Sequence, residues 1–181
     1  RMATTKAAEH RPQNPVKQKL YRLTLPDAVL DPPVSWYGEG FCGNALEQQY
    51  SHFTYPMEGY SEVKMFYRYG GSFLGTMVDT NKCVRLYKSP KLEFVVNQDC
   101  WYQSETKFAD IILPACTQLE RDDVGEWGAA GGYTVHASSG CNNRVLIRQK
   151  KCIEPLWESK SDYEIFTLLA EKLGRKEEYT E

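Results

Sequence analysis

The residues best placed to do chemistry stand at the ends of two apolar runs. Asn97-Gln98-Asp99 closes Leu92-Glu93-Phe94-Val95-Val96, and Gly70-Gly71-Ser72-Phe73 closes Val63-Lys64-Met65-Phe66-Tyr67-Arg68-Tyr69. In open parallel sheets, ligands bind outside the carboxyl ends of strands. A carboxylate at Asp99 can accept two hydrogen bonds from a guanine edge, the N1–H and the 2-amino group, or from a ribose. It can equally cap the turn that follows, and the two uses are compatible. Glycines at 70 and 71 let backbone N–H groups approach a phosphate closely, though they also suit a plain β-turn. Gly70-Gly71-Ser72-Phe73-Leu74 is not G-x-S-x-G, which rejects a hydrolase elbow. Asp110, ahead of a third apolar run, reads as a turn or cap residue.

Other candidates carry less. Gly38-Glu39-Gly40-Phe41-Cys42-Gly43 is a literal G-x-G-x-x-G, but it follows Asp31-Pro32-Pro33-Val34-Ser35-Trp36-Tyr37. Two prolines exclude the central strand that a dinucleotide fingerprint requires. The stretch reads instead as a glycine-hinged aromatic loop, whose Trp36, Tyr37 and Phe41 line a pocket for a flat ring or simply pack. Tyr37 is the residue there that could exchange a proton with a substrate, and it is the catalytic candidate. The run from Gly125 to Gly140 is small-residued and expected to extend over the surface, with Glu126 and His136 its only acid–base groups. His10 and His52 have no better claim. No carboxylate pair, Ser/His/Asp set or metal-ligand cluster emerges. The six cysteines contain no C-x-x-C, so a zinc or iron–sulfur site made by this segment alone is not expected. They read as mostly buried or half-buried thiols in a reducing, cytoplasmic compartment. The pattern is that of a cofactor-holding domain more than of a self-contained catalyst.

The elements needed to position these residues are legible. Val63–Tyr69 has strand composition and ends at a glycine pair. Asp79 or Thr80 can cap a helix with Cys83, Leu86 and Tyr87 on one face, stopped by Ser89-Pro90. Leu92–Val96 is an almost wholly apolar strand of the kind covered on both faces. Ser104–Phe108 suits one or two helical turns, and Ile111-Ile112-Leu113 is a third strand closed by Pro114. Strand, helix, strand, helix, strand predicts βαβ crossovers and a parallel sheet. Ser161-Asp162-Tyr163-Glu164 is a capping box opening a helix whose Tyr163, Phe166, Leu169, Ala170 and Leu173 stripe is expected to pack in a core, with Gly174 as its stop. The fold class predicted is α/β: a partial parallel-sheet dinucleotide-binding domain with an irregular N-terminal extension. Residues 1–59 read as irregular linker and aromatic loop, 60–174 as the α/β domain and 175–181 as a tail.

With 181 residues, 22 basic and 24 acidic side chains and a net charge of −2, the chain suits one domain with an extension, and nucleic acid is not its expected partner. No apolar run reaches the length of a membrane span, and the stretch Arg1-Met2-Ala3-Thr4-Thr5-Lys6 does not read as a signal peptide. The first twenty-two residues, basic and holding Pro12 and Pro15, look like a connecting segment. Both ends suggest a piece of something larger.

Three stretches taken together carry a family resemblance. Leu92 to Asp99, then Ser104-Glu105-Thr106, then Phe108-Ala109-Asp110-Ile111-Ile112-Leu113-Pro114-Ala115 resemble the "V-x-D … T-E-T-A … A-D-V-V-L-P-A" signature of molybdopterin oxidoreductases of the dimethyl sulfoxide reductase family. Glu120 lies where that family often has a glutamate, and Cys152-Ile153-Glu154-Pro155 with the Asp162 helix resembles its closing motif. Gly71-Ser72-Phe73 replaces the usual G-x-N-P, the T-E-T-A element is shifted by one residue, and Asp122 to Gly132 replaces G-T-x-x-N. These departures, with Trp36–Gly43, Thr54–Tyr60, Glu126-Trp127-Gly128 and Pro155–Lys160, favour a transhydroxylase-like branch.

The resemblance implies molybdenum, or tungsten, held by two molybdopterin guanine dinucleotides. It implies net hydroxyl transfer between polyphenols of the pyrogallol and phloroglucinol type. The metal ligand and any iron–sulfur cluster would lie elsewhere in the parent chain or in an iron–sulfur small subunit, so the segment alone would be inactive. On this reading Asp99 recognises guanine, with Gln98 beside it. Gly70, Gly71 and Ser72 shape the loop near the phosphates, and Thr106 assists. The alternatives are a reductive catechol dehydroxylase of the same family, or a noncatalytic nucleotide-binding module of a larger complex.

Overall fold

A computed structural model of the chain describes residues 15–38, 49–126 and 146–180. These fall into two compact units, one of Val16–Leu113 and one carried by the residues from Pro114 onward.

The first unit is built on the predicted parallel sheet. Strand β3 (Met65–Tyr69) pairs in parallel with β4 (Phe94–Asp99), and β5 (Ile111–Pro114) follows on the other side of β4. Helix α2 (Thr80–Tyr87) connects β3 to β4, and a 3-10 turn over Glu105–Phe108 connects β4 to β5. Asp79 caps α2 by accepting the Lys82 N–H at 3.0 Å. Cys83, Leu86 and Tyr87, the predicted apolar face, are buried with Phe66, Phe73, Leu74, Met77, Leu92 and Val95 in one hydrophobic core. Leu92 belongs to that core but not to the strand. Its N–H bonds back to Ser89, and the parallel pairing begins only at Phe94. The strand therefore starts two residues later than its apolar run and continues through Asp99. The third strand is less buried than its composition predicts, because β5 lies at the sheet's edge and leaves Ile111 and Ile112 exposed.

Part of the stretch read as irregular is ordered. Helix α1 (Leu25–Leu30) contributes Val29 to the core, and its Asp27 pairs with Lys82 of α2. Strands β1 (Val34–Tyr37) and β2 (His52–Tyr55) form an antiparallel pair. Trp36 stacks on Phe53 there and Tyr21 packs against both. Most of the Gly38–Gly43 pattern, with Phe41, and the run beyond Glu126 with His136 lie outside the described residues, as does His10.

In the second unit β6 (Asp123–Glu126) pairs antiparallel with β7 (Leu146–Gln149). Helix α3 (Asp162–Lys172) starts at the predicted capping box, with Ser161 and Glu164 exchanging both bonds, and ends before Gly174 at φ +70°. A short α4 (Lys176–Thr180) follows. The expectation that the α3 stripe forms core holds for Ala170 and is corrected for Tyr163, Leu169 and Leu173. Ile165 and Ala170 are the buried residues of this helix, whereas Tyr163, Leu169 and Leu173 are exposed. Periodicity identifies an apolar face; it does not supply the surface that covers it. Tyr163 here stacks on Tyr179 of α4.

Candidate functional site

The parallel register decides which residues meet. Tyr69 lies opposite Gln98, and the Gly70 N–H donates to the Gln98 carbonyl at 3.1 Å. The Gly70–Ser72 turn and Asp99 therefore leave neighbouring strands on the same, carboxyl, rim of the sheet. Gly70 and Gly71 hold φ of +53° and +73°. That left-handed backbone, not lack of room, demands glycine, since an added Cβ would meet nothing within 4 Å. The N–H groups of Gly71 and Ser72 have no hydrogen-bond partner among the described residues.

Behind the rim lies a polar frame. Glu105 is buried at 1 % exposure; its Oε1 accepts the Leu74 N–H at 2.7 Å and its Oε2 the Ser72 hydroxyl at 2.9 Å. The carboxylate thus ties the turn after β3 to the segment after β4. Ser72 Oγ in turn accepts the Gly75 N–H at 2.7 Å. Thr106 is buried, donates to Asn97 Oδ1 at 2.7 Å and accepts the Gln103 N–H at 3.0 Å. Gln98 is fully buried, and its Oε1 accepts the Tyr67 hydroxyl at 2.5 Å. The side chains of Gln98 and Thr106 therefore hold the rim from inside.

Asp99 is half-buried at the end of β4. Its Oδ1 accepts the Trp101 N–H at 2.9 Å and its Oδ2 accepts from the Gln103 side-chain amide. It caps the turn. A carboxylate has about four lone-pair sites, so two remain for a ligand donor pair. Asp110 is structural, accepting the Val95 N–H at 2.8 Å. Tyr37 is not brought to this rim by any strand pairing. It lies on β1 opposite His52, against whose ring it packs at 4.8 Å, and it is 73 % exposed.

Two residues escaped the sequence reading: Glu105 and Arg68. Glu105 stood inside the quoted Ser104-Glu105-Thr106, and a glutamate at the start of a helical turn reads as solvated. Its partners lie 31 and 33 residues away. Asn97 finds its partner across nine residues. Arg68 interrupts the apolar strand, and that interruption was the available signal.

In the second unit Glu120 is the centre of another frame. Buried, it accepts the Thr117 hydroxyl at 2.6 Å, the Thr117 N–H at 2.7 Å and the Leu156 N–H at 2.7 Å. These bonds, the Thr117 hydroxyl first, hold its carboxyl down at about 2. Cys83 and Cys116 are buried and Cys100 and Cys152 exposed, none of the four in a disulfide. No group of three or more His, Cys, Asp or Glu among the described residues could hold a metal, and no described helix is long and apolar enough to cross a membrane.

The profile of the molybdopterin oxidoreductases matches residues 48–172, which takes in the sheet, the rim and the Glu120 frame. The chain belongs to the molybdopterin oxidoreductase family. It is 46 % identical over 164 residues to the pyrogallol hydroxytransferase large subunit of Pelobacter acidigallici, covering 91 % of this chain and 19 % of that protein. It is 37 % identical over 122 residues to a dimethyl sulfoxide/trimethylamine N-oxide reductase of Cereibacter sphaeroides, covering 67 % and 13 %. It is 38 % identical over 102 residues to a trimethylamine-N-oxide reductase of Vibrio cholerae, covering 56 % and 11 %. The chain thus spans about a fifth or less of the length of these relatives. Membership of this molybdopterin oxidoreductase family implies a molybdenum–molybdopterin cofactor. The rim fits one end of such a group: unpartnered N–H donors suit an anion, and a carboxylate with free lone pairs suits a purine edge.

Proposed function

We propose that this chain forms part of the catalytic subunit of a molybdopterin guanine dinucleotide enzyme that moves hydroxyl groups between polyphenols of the pyrogallol and phloroglucinol type. Its share of the work is to grip the guanine end of one dinucleotide. The observation that carries this reading is the shared rim, where the Gly70–Ser72 turn and Asp99 leave paired parallel strands. Asp99 accepts the guanine N1–H and 2-amino group with the lone pairs its turn leaves free. Gly71 and Ser72 direct backbone N–H groups at the phosphates. Gln98 and Thr106 keep that geometry from below, through Tyr67 and Asn97. Residues 60–174 are taken as the cofactor-binding stretch, supported by a family match that ends at residue 172.

When bound, the molybdenum or tungsten centre supplies two-electron and oxygen-transfer chemistry at the aromatic ring. Tyr37, exposed on β1, is proposed to exchange a proton with the phenolic substrate. The likeness to a protein named a large subunit supports a small-subunit partner, which we take to carry the iron–sulfur clusters. A cytoplasmic site of action belongs to the same reading and rests on the free thiols.

The test uses the whole catalytic subunit, purified without oxygen, with metal and pterin analysis and product identification. Molybdenum or tungsten with pterin, and conversion of pyrogallol to phloroglucinol without an external electron donor, are expected. Loss of a ring hydroxyl only when an electron donor is supplied would mean a reductive dehydroxylase. Absence of metal and pterin would leave a noncatalytic nucleotide-binding module.

A further inference from the structure

Two cations border the glycine turn, and neither has a carboxylate partner among the described residues. The guanidinium carbons of Arg22 and Arg68 each lie 5.7 Å from the centroid of the Phe73 ring. Both side chains line one groove of about 340 Å³. Arg22 reaches the turn itself, donating to the Ser72 carbonyl at 3.4 Å and to the Thr76 hydroxyl. Arg68 stands on β3 two residues before Gly70, and its Nε is buried with no hydrogen-bond partner among the described residues. A buried donor left unmet costs about 1–3 kcal/mol, more when charged, so such a group persists where something else meets it. Glu105, the buried carboxylate that holds the turn, is committed to Leu74 and Ser72.

We infer that Arg22 and Arg68 bind the diphosphate of the dinucleotide. This rests on the proposed cofactor reading and adds to it the positive charge that a glycine turn lacks. The unpartnered Gly71 and Ser72 N–H groups fix where the anion sits, and the two guanidiniums neutralise it. Arginine suits this task because its planar fork meets phosphate oxygens two at a time. The ring of Phe73 holds both guanidinium groups through cation–π contact and keeps them beside the turn.

The test is calorimetric titration of the full chain with inorganic pyrophosphate, GDP and ADP, for the wild type, R22Q, R68Q, R68K and D99A. Wild type is expected to bind all three. R22Q and R68Q should each weaken all three about tenfold, the size of one lost charge-assisted bond. R68K should recover much of the loss, and raising salt should weaken wild type more than R68Q. D99A should weaken GDP while leaving pyrophosphate and ADP unchanged. Wild-type chain that fails to bind pyrophosphate, or glutamine variants that bind it as tightly as wild type, overturns the arginine assignment. If D99A leaves the GDP-to-ADP preference intact while R22Q and R68Q lose pyrophosphate, guanine recognition by Asp99 fails and the arginine assignment stands. A matching thermal transition in R68Q and R68K separates lost binding from lost folding.

Discussion

Glu105 shows how a single buried carboxylate can shape a site without touching its ligand. Both oxygens are used, one on a backbone N–H and one on Ser72, so the turn after β3 is held by a residue after β4. Glu105→Ala leaves the Leu74 N–H buried and unmet, which should cost about 1–3 kcal/mol in chemical denaturation. Glu105→Gln keeps a carbonyl acceptor and should cost less. Equal stability of the alanine variant and the wild type would refute the frame. Tyr37 poses a different question. Its ring contact among the described residues is His52, so Tyr37→Phe should leave folding unchanged and slow turnover in the whole enzyme if its hydroxyl moves a proton. Unaltered turnover removes it from the mechanism. None of the side-chain partnerships behind the rim could be read from the sequence. The partners of Glu105, Asn97 and Gln98 lie 9 to 33 positions away in the chain, beyond the reach of any local pattern.

Among the elements, caps and periodicity were enough. Asp79 and Ser161 each open a helix where expected, and the spacing of Cys83, Leu86 and Tyr87 identified the buried face of α2. Strand ends were less legible. The apolar run suggested that β4 ends at Val96, yet Asn97 and Gln98 continue it because Thr106 and Tyr67 satisfy them inside. The face of α3 was misread for a related reason, since the sequence does not say what covers an apolar stripe. One consequence for α2 can be measured. Tyr87 packs against Phe66, Phe73 and Phe108, but its hydroxyl is buried without a hydrogen-bond partner among the described residues. Burial pushes its pKa far above the ordinary value, with the nearby Glu105 charge adding to the effect. Tyr87→Phe removes an unmet polar group while keeping the ring, and should stabilise the chain by about 1 kcal/mol in urea unfolding. A destabilised variant would mean that the hydroxyl has a partner in solution.

For the molecule as a whole, acid is an informative variable. Glu120 is ionised in the folded state down to about pH 2, against an ordinary value of 4.5. Its contribution is complete above pH 4.5 and is lost as pH falls toward 2, because the unfolded chain takes up the proton first. Stability should therefore drop through that window, and Glu120→Gln should flatten the drop when thermal transitions are compared between pH 5 and pH 2. Superimposable acid profiles would contradict the assignment. The parallel sheet and its rim were legible at this scale because apolar runs, glycine pairs and a helix cap fix strand order and direction together. The charge at the rim was not, because Arg22 and Arg68 are 46 positions apart and come together through the Phe73 ring. The central claim is that Asp99 holds the guanine of a pterin dinucleotide. Its most direct measurement is the guanine nucleotide released per polypeptide from the purified catalytic subunit, Asp99→Ala against wild type. The account predicts a clear fall in guanine in the variant, with the molybdenum content falling alongside it. Guanine and metal at wild-type levels would contradict it.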